Sequence, residues 1–258
     1  MAAFEFIHTS LKEGIGLIEL NRPDKYNSLN RKMVREIVEA MEMFDRDEQA
    51  RVILLTGRGK SFSAGADIDE MAFDDAIKLE LLNQFADWDR LALIKKPIIG
   101  AVKGFAFGGG FELALICDMI IATEGTEFCF PEVNLSVMPG AGGTQRLTKI
   151  VGRTKALEWL WTGKRITAQS ALDFGLINLI VPPELLIEES MKIATNIANQ
   201  PPISIRLIKD AVNKAVDYSL YEGMQYERKN FYLLFASEDQ KEGMRAFVEK
   251  RKPEFRGR

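Results

Sequence analysis

Histidine and cysteine are nearly absent from this chain, and their scarcity removes whole classes of chemistry. The single histidine, His8, lies among Phe6, Ile7 and Thr9 in a short opening segment that reads as an edge or surface strand. With no second imidazole, histidine-based metal sites and Ser-His-Asp triads have too few parts to assemble, so no metal ligand is expected. The two cysteines, Cys117 and Cys129, cannot make a disulfide framework, and each sits in an apolar stretch where a thiol serves as small core filler. A reducing compartment is expected. Long apolar runs are missing too: no segment approaches the roughly 18 uninterrupted apolar residues of a membrane span, and residues 1–10 show no basic flank followed by an apolar run. The expected location is the cytoplasm, or the mitochondrial matrix for a processed chain, with no membrane partner. An excess of positive charge is also lacking. Thirty-four basic against 37 acidic residues give a net charge of -3, so nucleic acid is not expected as the principal partner. The chemistry left open belongs to carboxylates, lysines and main-chain dipoles.

What is present is enough for a sizeable core: 258 residues, 47% of them hydrophobic. Residues 16–20 read as a strand stopped by the turn residues Asn21, Arg22, Pro23 and Asp24. A helix is predicted from Asn30, with Met33, Val34, Ile37, Val38, Met41 and Phe44 at helical spacing. Strands are predicted at 52–55, near Ile98 after a helix ended by Lys96-Pro97, and at 119–123, with a helix over 153–162. This alternation predicts an α/β core. Beyond Val181-Pro182-Pro183 only helical periodicity remains, over 185–199, 203–216, 220–235 and 239–249. Pro201-Pro202 suggest a hinge, and we place a boundary near residue 198, giving a core of 1–197 and a small all-helical segment of 198–258.

Three segments could carry chemistry. Ser63-Ala64-Gly65-Ala66-Asp67 is a run of small residues after a strand, either a tight turn or a place where a ligand reaches free main-chain N–H groups. Gly108-Gly109-Gly110 opens an apolar helical run, and amides at a helix start favour negative charge. Glu112 lies inside that run, either on a solvent face or as a buried acid that must be hydrogen-bonded or catalytic. Glu132, between Pro131 and Val133, is either a surface or helix-start acid or the second member of a carboxylate pair, close to the glycine-rich bend 139–146. Paired carboxylates in different environments are what general acid and base work requires. Two near-motifs fail. Gly59-Lys60-Ser61 resembles the end of a phosphate-binding loop, but Leu54 stands where its first glycine belongs, and Leu113 breaks a dinucleotide fingerprint starting at Gly108. The basic end, Lys250, Arg251, Lys252, Arg256 and Arg258, reads as a solvated tail or a contact for a ligand phosphate.

Almost the whole chain resembles the enoyl-CoA hydratase/isomerase family, the crotonase superfamily. The resemblance rests on Asn21-Arg22-Pro23 with Asn27-Ser28-Leu29, on Ala64-Gly65-Ala66-Asp67-Ile68, and on Gly108-Gly109-Gly110 with Glu112. It continues through Pro131-Glu132, the run from Pro139 to Arg146, Thr162-Gly163 and the ending Ala246 to Arg251. It implies a spiral of ββα units with a C-terminal helical segment that joins subunits into trimers or paired trimers. It further implies that the N–H groups of Ala66 and Gly109 form an oxyanion hole for a thioester carbonyl. Ala64, Ala66, Asp67, Ile68 and Asp69 would line the coenzyme A path, with Lys25, or Phe247 and Lys250 of a neighbouring chain, touching it. Glu112 would be the base that activates water, Glu132 would deliver a proton to C2, and the main chain of Gly140 would help hold the water. No metal or redox cofactor is implied, because coenzyme A is part of the substrate. Members specialised for moving a double bond generally keep only the acid matching Glu132, so Glu112 favours an enoyl-CoA hydratase over an isomerase. A non-catalytic acyl-CoA-binding or RNA-binding relative is the remaining alternative. An acyl pocket is expected from side chains such as Phe73, Trp88, Phe105 and Leu115, while chain-length preference and pathway, fatty-acid β-oxidation among them, stay open.

Overall fold

The computed structural model describes residues 4–258. The chain winds through two stacks of strands, and each pass leaves the second stack into a helix. In the first pass β1 (Ile7–Lys12) and β2 (Ile15–Leu20) pair antiparallel, and the chain then bridges at Leu29 before entering α1 (Arg31–Arg46). The Asn30 side chain accepts from the Met33 N–H at 2.7 Å, a cap that sets where this helix begins. Its buried face is Met33, Val34, Ile37, Val38, Met41 and Phe44, the six apolar positions expected from spacing.

The second pass runs through β3 (Val52–Gly57), bridges at Ser63 and Ala66, and leaves through α2 (Ile68–Met71), α3 (Ala76–Leu82) and α4 (Ala86–Leu91). The third runs β4 (Ile98–Val102), β5 (Phe105–Phe107), α5 (Gly109–Ala114), and the fourth β6 (Met119–Thr123), β7 (Glu127–Cys129), a short 3-10 turn, α6 (Gly143–Val151) and α7 (Arg153–Thr162). The large sheet has the order β1-β2-β3-β4-β6 with β9 (Leu179–Val181) at its far edge, parallel from β2 onward. The second stack is built by the parallel bridges Leu29 to Ala66 and Ser63 to Ala106, then β5 to β7 and the antiparallel β8 (Ile166–Thr167), which precedes α8 (Ala168–Asp173). Neighbouring strands lie roughly 4.8 Å apart, so residues at the exits of successive passes stand side by side.

Strand β3 is buried along its whole length, as expected of a parallel strand covered on both faces. Ile53 and Leu55 face a core shared with α1 and α5, while Val52 and Leu54 face a second core closed by α9 (Leu186–Ala198) through Leu186, Met191, Ile193, Ala194 and Ile197. The remaining helices, α10 (Pro202–Ala215), α11 (Leu220–Leu234) and α12 (Glu238–Glu249), follow in sequence, and α10 and α11 bury no residue. The mixed α/β architecture with its helical C-terminal segment agrees with the sequence reading.

Pro202 is the first residue of α10, where a ring without an N–H is tolerated, so the expected hinge at Pro201-Pro202 falls where a helix begins. One expectation needs correction. The helix before Ile98 stops at Leu91, not at Lys96-Pro97. His8 lies exposed on the edge strand β1, as read.

Candidate active site

Four segments leave the second stack next to one another: Leu29 into α1, Ala66 into α2, Phe107 into α5 and Cys129 into the Glu132 turn. Ala66, Gly109, Glu112 and Glu132 all line one cavity of about 680 Å³. Phe111 stacks on Phe130 with ring centroids 4.6 Å apart, and both rings are buried. Because Glu112 follows Phe111 and Glu132 lies two residues past Phe130, this stack fixes the two acids relative to each other.

The solvent-face reading of Glu112 fails, since the residue is only 4% exposed. Its Oε1 accepts from the N–H groups of Ala141 and Gly143 at 2.7 and 2.8 Å. Burial pushes its carboxyl above the ordinary value, while those two amides and the charge of Arg146 pull it back. Glu132 is less supported. Among the described residues its Oε2 is buried without a hydrogen-bond partner, and its Oε1 lies 3.0 Å from where a β-carbon on Gly108 would stand. Burial first pushes Glu132 up, its own main-chain N–H pulls it back in part, and the neighbouring Glu112 charge adds to the rise, to about 7. Both carboxyls are pushed up, but Glu112 has two main-chain donors and a positive charge pulling it back where Glu132 has only its own N–H, a difference suited to base and acid roles.

Across the cavity wall, the N–H groups of Ala66 and Gly109 have no acceptor among the described residues. A β-carbon on Gly109 would stand 3.6 Å from the Ala66 nitrogen, and one on Gly65 3.5 Å from the Gly109 nitrogen, so the two amides are close neighbours. Two free donors at one wall can stabilise a developing oxyanion.

The matching family model, described as enoyl-CoA hydratase/isomerase, covers residues 10–258. The chain belongs to the enoyl-CoA hydratase/isomerase family. It is 46% identical to a protein named mitochondrial enoyl-CoA hydratase from Pongo abelii, over 99% of this chain and 89% of that one. A probable enoyl-CoA hydratase from Rhizobium meliloti (strain 1021) is 44% identical over 99% of this chain and its own full length. Among solved structures, an enoyl-CoA hydratase subunit I from Geobacillus kaustophilus HTA426 superposes with a TM-score of 0.98 at 64% identity, each chain covered completely.

Within this enoyl-CoA hydratase/isomerase fold the sequence-predicted residues fall in two groups. Ala66, Asp67, Ile68, Gly109, Glu112, Glu132 and Gly140 reach the cavity together. Ala64 and Asp69 do not line it: the Ala64 N–H donates to Tyr26 O at 2.9 Å, and Asp69 points to Lys25 Nζ, 4.0 Å away at the surface. Of the four expected acyl-pocket side chains only Trp88 lines the cavity. Phe73 is 94% exposed, Leu115 is buried in the main core, and Phe105 packs on Phe107 with centroids 5.0 Å apart. Hydrophobicity marks a residue for burial but does not say into which space it points. The apolar lining is supplied instead by Val34, Met71, Leu79, Leu82, Phe85 and Met138. Phe247 is largely exposed, Lys250 closes α12, and Arg251 pairs with Glu242 of its own chain, so that tail cation is engaged internally.

Sequence reasoning missed the clamp behind the Ala66 loop. Arg22 Nη1 donates to Ser28 O at 2.7 Å and to Asp67 Oδ2 at 2.9 Å. Asn27, fully buried, donates to Arg58 O and Ser61 O, and Leu29 exchanges backbone bonds with Gly65 and Asp67. The signal lay in the polar cluster Asn21 to Ser28, which reads only as a turn when the partner of Arg22, 45 residues away, is unknown. Removing this charge-assisted pair by Arg22→Ala should lower the unfolding free energy by about 1–2 kcal/mol, measured by urea denaturation, against about zero for a surface pair.

Proposed function

We infer that the protein adds water reversibly across the C2=C3 bond of trans-2-enoyl-CoA thioesters, giving 3-hydroxyacyl-CoA. What carries the reading is the sharing of one cavity by two carboxyls of different acidity and two unpaired main-chain amides. The thioester oxygen sits between the Ala66 and Gly109 amides, which stabilise it as it gains charge during attack at C3. Glu112, held by the Ala141 and Gly143 amides, takes a proton from the attacking water, and Glu132 gives its proton to C2. The main chain at Gly140 adjoins the same water. Coenzyme A is the substrate's handle, and the steps use no metal or redox cofactor. The Ala64 to Asp69 segment, with Asp67 pinned by Arg22, leads the coenzyme A arm toward the cavity mouth. A pure double-bond shift would need one acid alone, and the two amides devoted to Glu112 favour hydration over it. The direct test mixes crotonyl-CoA with the full chain and follows loss of enoyl thioester absorbance; no loss at micromolar protein rejects the reading.

The pH dependence follows from the acids. In hydration the pair carries its one proton on Glu132, and in dehydration on Glu112, so the active protonation count is the same both ways. The kcat/KM in both directions should therefore fall together as pH rises through about 7, the value to which Glu132 is pushed up. A forward limb without a matching reverse limb would contradict the assignment.

We also propose that residues 1–197 hold the site and that 198–258 join copies of this chain into trimers or paired trimers. Exposed Ile208, Val212, Leu220, Tyr221, Phe231 and Tyr232 on and beside α10 and α11 support this, being too apolar a surface for helices left in water. Light scattering should give three or six times the chain mass of 29.1 kDa. No helix among the described residues is long and apolar enough to cross a membrane, and we place the protein in the cytoplasm on the sequence reading above.

A further inference from the structure

We propose that Arg146 is a positioning residue that keeps Glu112 in its proton-accepting form, by bracing the loop whose amides bind Glu112 and by facing it with a half-buried positive charge. The proposal rests on the reading of Glu112 as the base. Among the described residues the Glu112 carboxylate makes no ion pair, and its hydrogen bonds come from the two main-chain donors at Ala141 and Gly143. Those donors are useful only if the loop holds its shape, and the loop is folded around the Arg146 guanidinium. Arg146 Nη1 donates to Ala141 O at 3.0 Å, and the Arg146 N–H donates to Gly142 O at 2.8 Å. Gly142 has φ +102°, and a β-carbon there would overlap Nη1, so the guanidinium occupies the space a side chain would need.

The charges around the pair leave Arg146 as the one that favours ionised Glu112. Glu132, on the turn after β7, stands in Coulombic contact with Glu112 and opposes a second negative charge. The charge of Asp89, on α4, also acts on Arg146 and weakens its field in part. Arg146, on the opening turns of α6, supplies the positive charge acting on Glu112. A guanidinium does not deprotonate in the working range, so this field stays constant while both acids titrate. Without it, Glu112 would keep its two amides yet hold its proton to a higher pH, and the fraction of enzyme with a free base would fall on the acid side only.

Three variants separate charge from brace: Arg146→Met removes both, Arg146→Gln keeps an N–H donor without charge, and Arg146→Lys keeps charge without the planar fork. For crotonyl-CoA, kcat/KM of the Gln variant should lie about tenfold below wild type near pH 5.5 and within about threefold near pH 8, and the Met variant, which loses the brace as well, should fall below Gln at both pH values and furthest near pH 5.5. KM should change little, and Arg146→Lys should stay within about threefold throughout. An equal loss at both pH values, or a Lys variant as impaired as Met, overturns the proposal. If the Met variant does not fold by circular dichroism, the Gln and Lys pair decides. A second readout needs no turnover: the ¹³C signal of the Glu112 carboxyl, assigned by its loss in Glu112→Gln, should titrate about one pH unit higher in Arg146→Gln than in wild type. An unmoved midpoint overturns the proposal, whereas a moved midpoint in a protein that turns over no enoyl-CoA sinks the hydratase reading and leaves the Arg146 effect standing.

Discussion

Glu132→Gln is expected to lower kcat for crotonyl-CoA hydration by about a thousandfold while making the folded protein more stable above pH 7. The first effect follows from losing the proton donor to C2, because an amide of the same shape has no acidic proton to give. The second follows from burial. Glu132 has a folded-state value of about 7, and its Oε2 is buried without a partner. In an unfolded chain a glutamate titrates near ~4.3, so the folded state binds this proton more tightly. The contribution to stability is full below about pH 4.3 and is lost as pH rises through about 7. Glutamine has no charge to desolvate and escapes that loss. Since the carboxyl is partly open to the cavity, the gain at pH 8 should be on the order of 1 kcal/mol, or a Tm about 2–4 °C above wild type. At pH 4 the two proteins should melt together. Equal melting at both pH values would show that Glu132 carries no buried charge, and retained turnover would show that it is not the proton donor.

Gly65→Ala should produce the second large effect, a loss of about a hundredfold in kcat with KM changed much less. Gly65 sits at φ +99°, a backbone region that disfavours a β-carbon, and such a carbon would stand 2.7 Å from Phe107 O and 3.5 Å from the Gly109 nitrogen. The Ala66 and Gly109 segments meet at this point. Pushing them apart by even a few tenths of an ångström misplaces both donors from the oxygen that becomes charged, and aligned donors matter most in the transition state. The loss should appear in single-turnover rates with saturating crotonyl-CoA. Gly125→Ala, in the exposed turn between β6 and β7 with open space around it, is the control and should leave turnover within about twofold.

The sequence made the long, periodic parts of this fold legible. Helix α1 is framed by Asn30 and by six apolar residues at helical spacing, and β3 is a run of apolar residues too short for anything but a buried strand. Glu112 could be singled out because a carboxylate inside an apolar run needs a reason. The second stack was invisible, since β5 and β7 are three residues each, β8 is two, and the other contributions are single bridges at Leu29, Ser63 and Ala66. No period exists in one residue. That stack nevertheless brings the site together, so the grouping of Ala66, Gly109, Glu112 and Glu132 came from resemblance and not from pattern. The clamp at Arg22, the lining at Leu79, Leu82 and Phe85, and the contact of Arg146 with Ala141 depend on side-chain direction across distant segments, which spacing does not encode.

The most direct test of a single centre built from both acids is a double-mutant cycle on kcat for crotonyl-CoA, comparing wild type with Glu112→Gln, Glu132→Gln and the double variant. Residues acting in one step are not additive, so each single variant should lose about a thousandfold and the double variant about the same. If the losses multiply to about a millionfold, or if either single variant keeps near-wild-type turnover, the two acids do not act together on one water and the account is wrong.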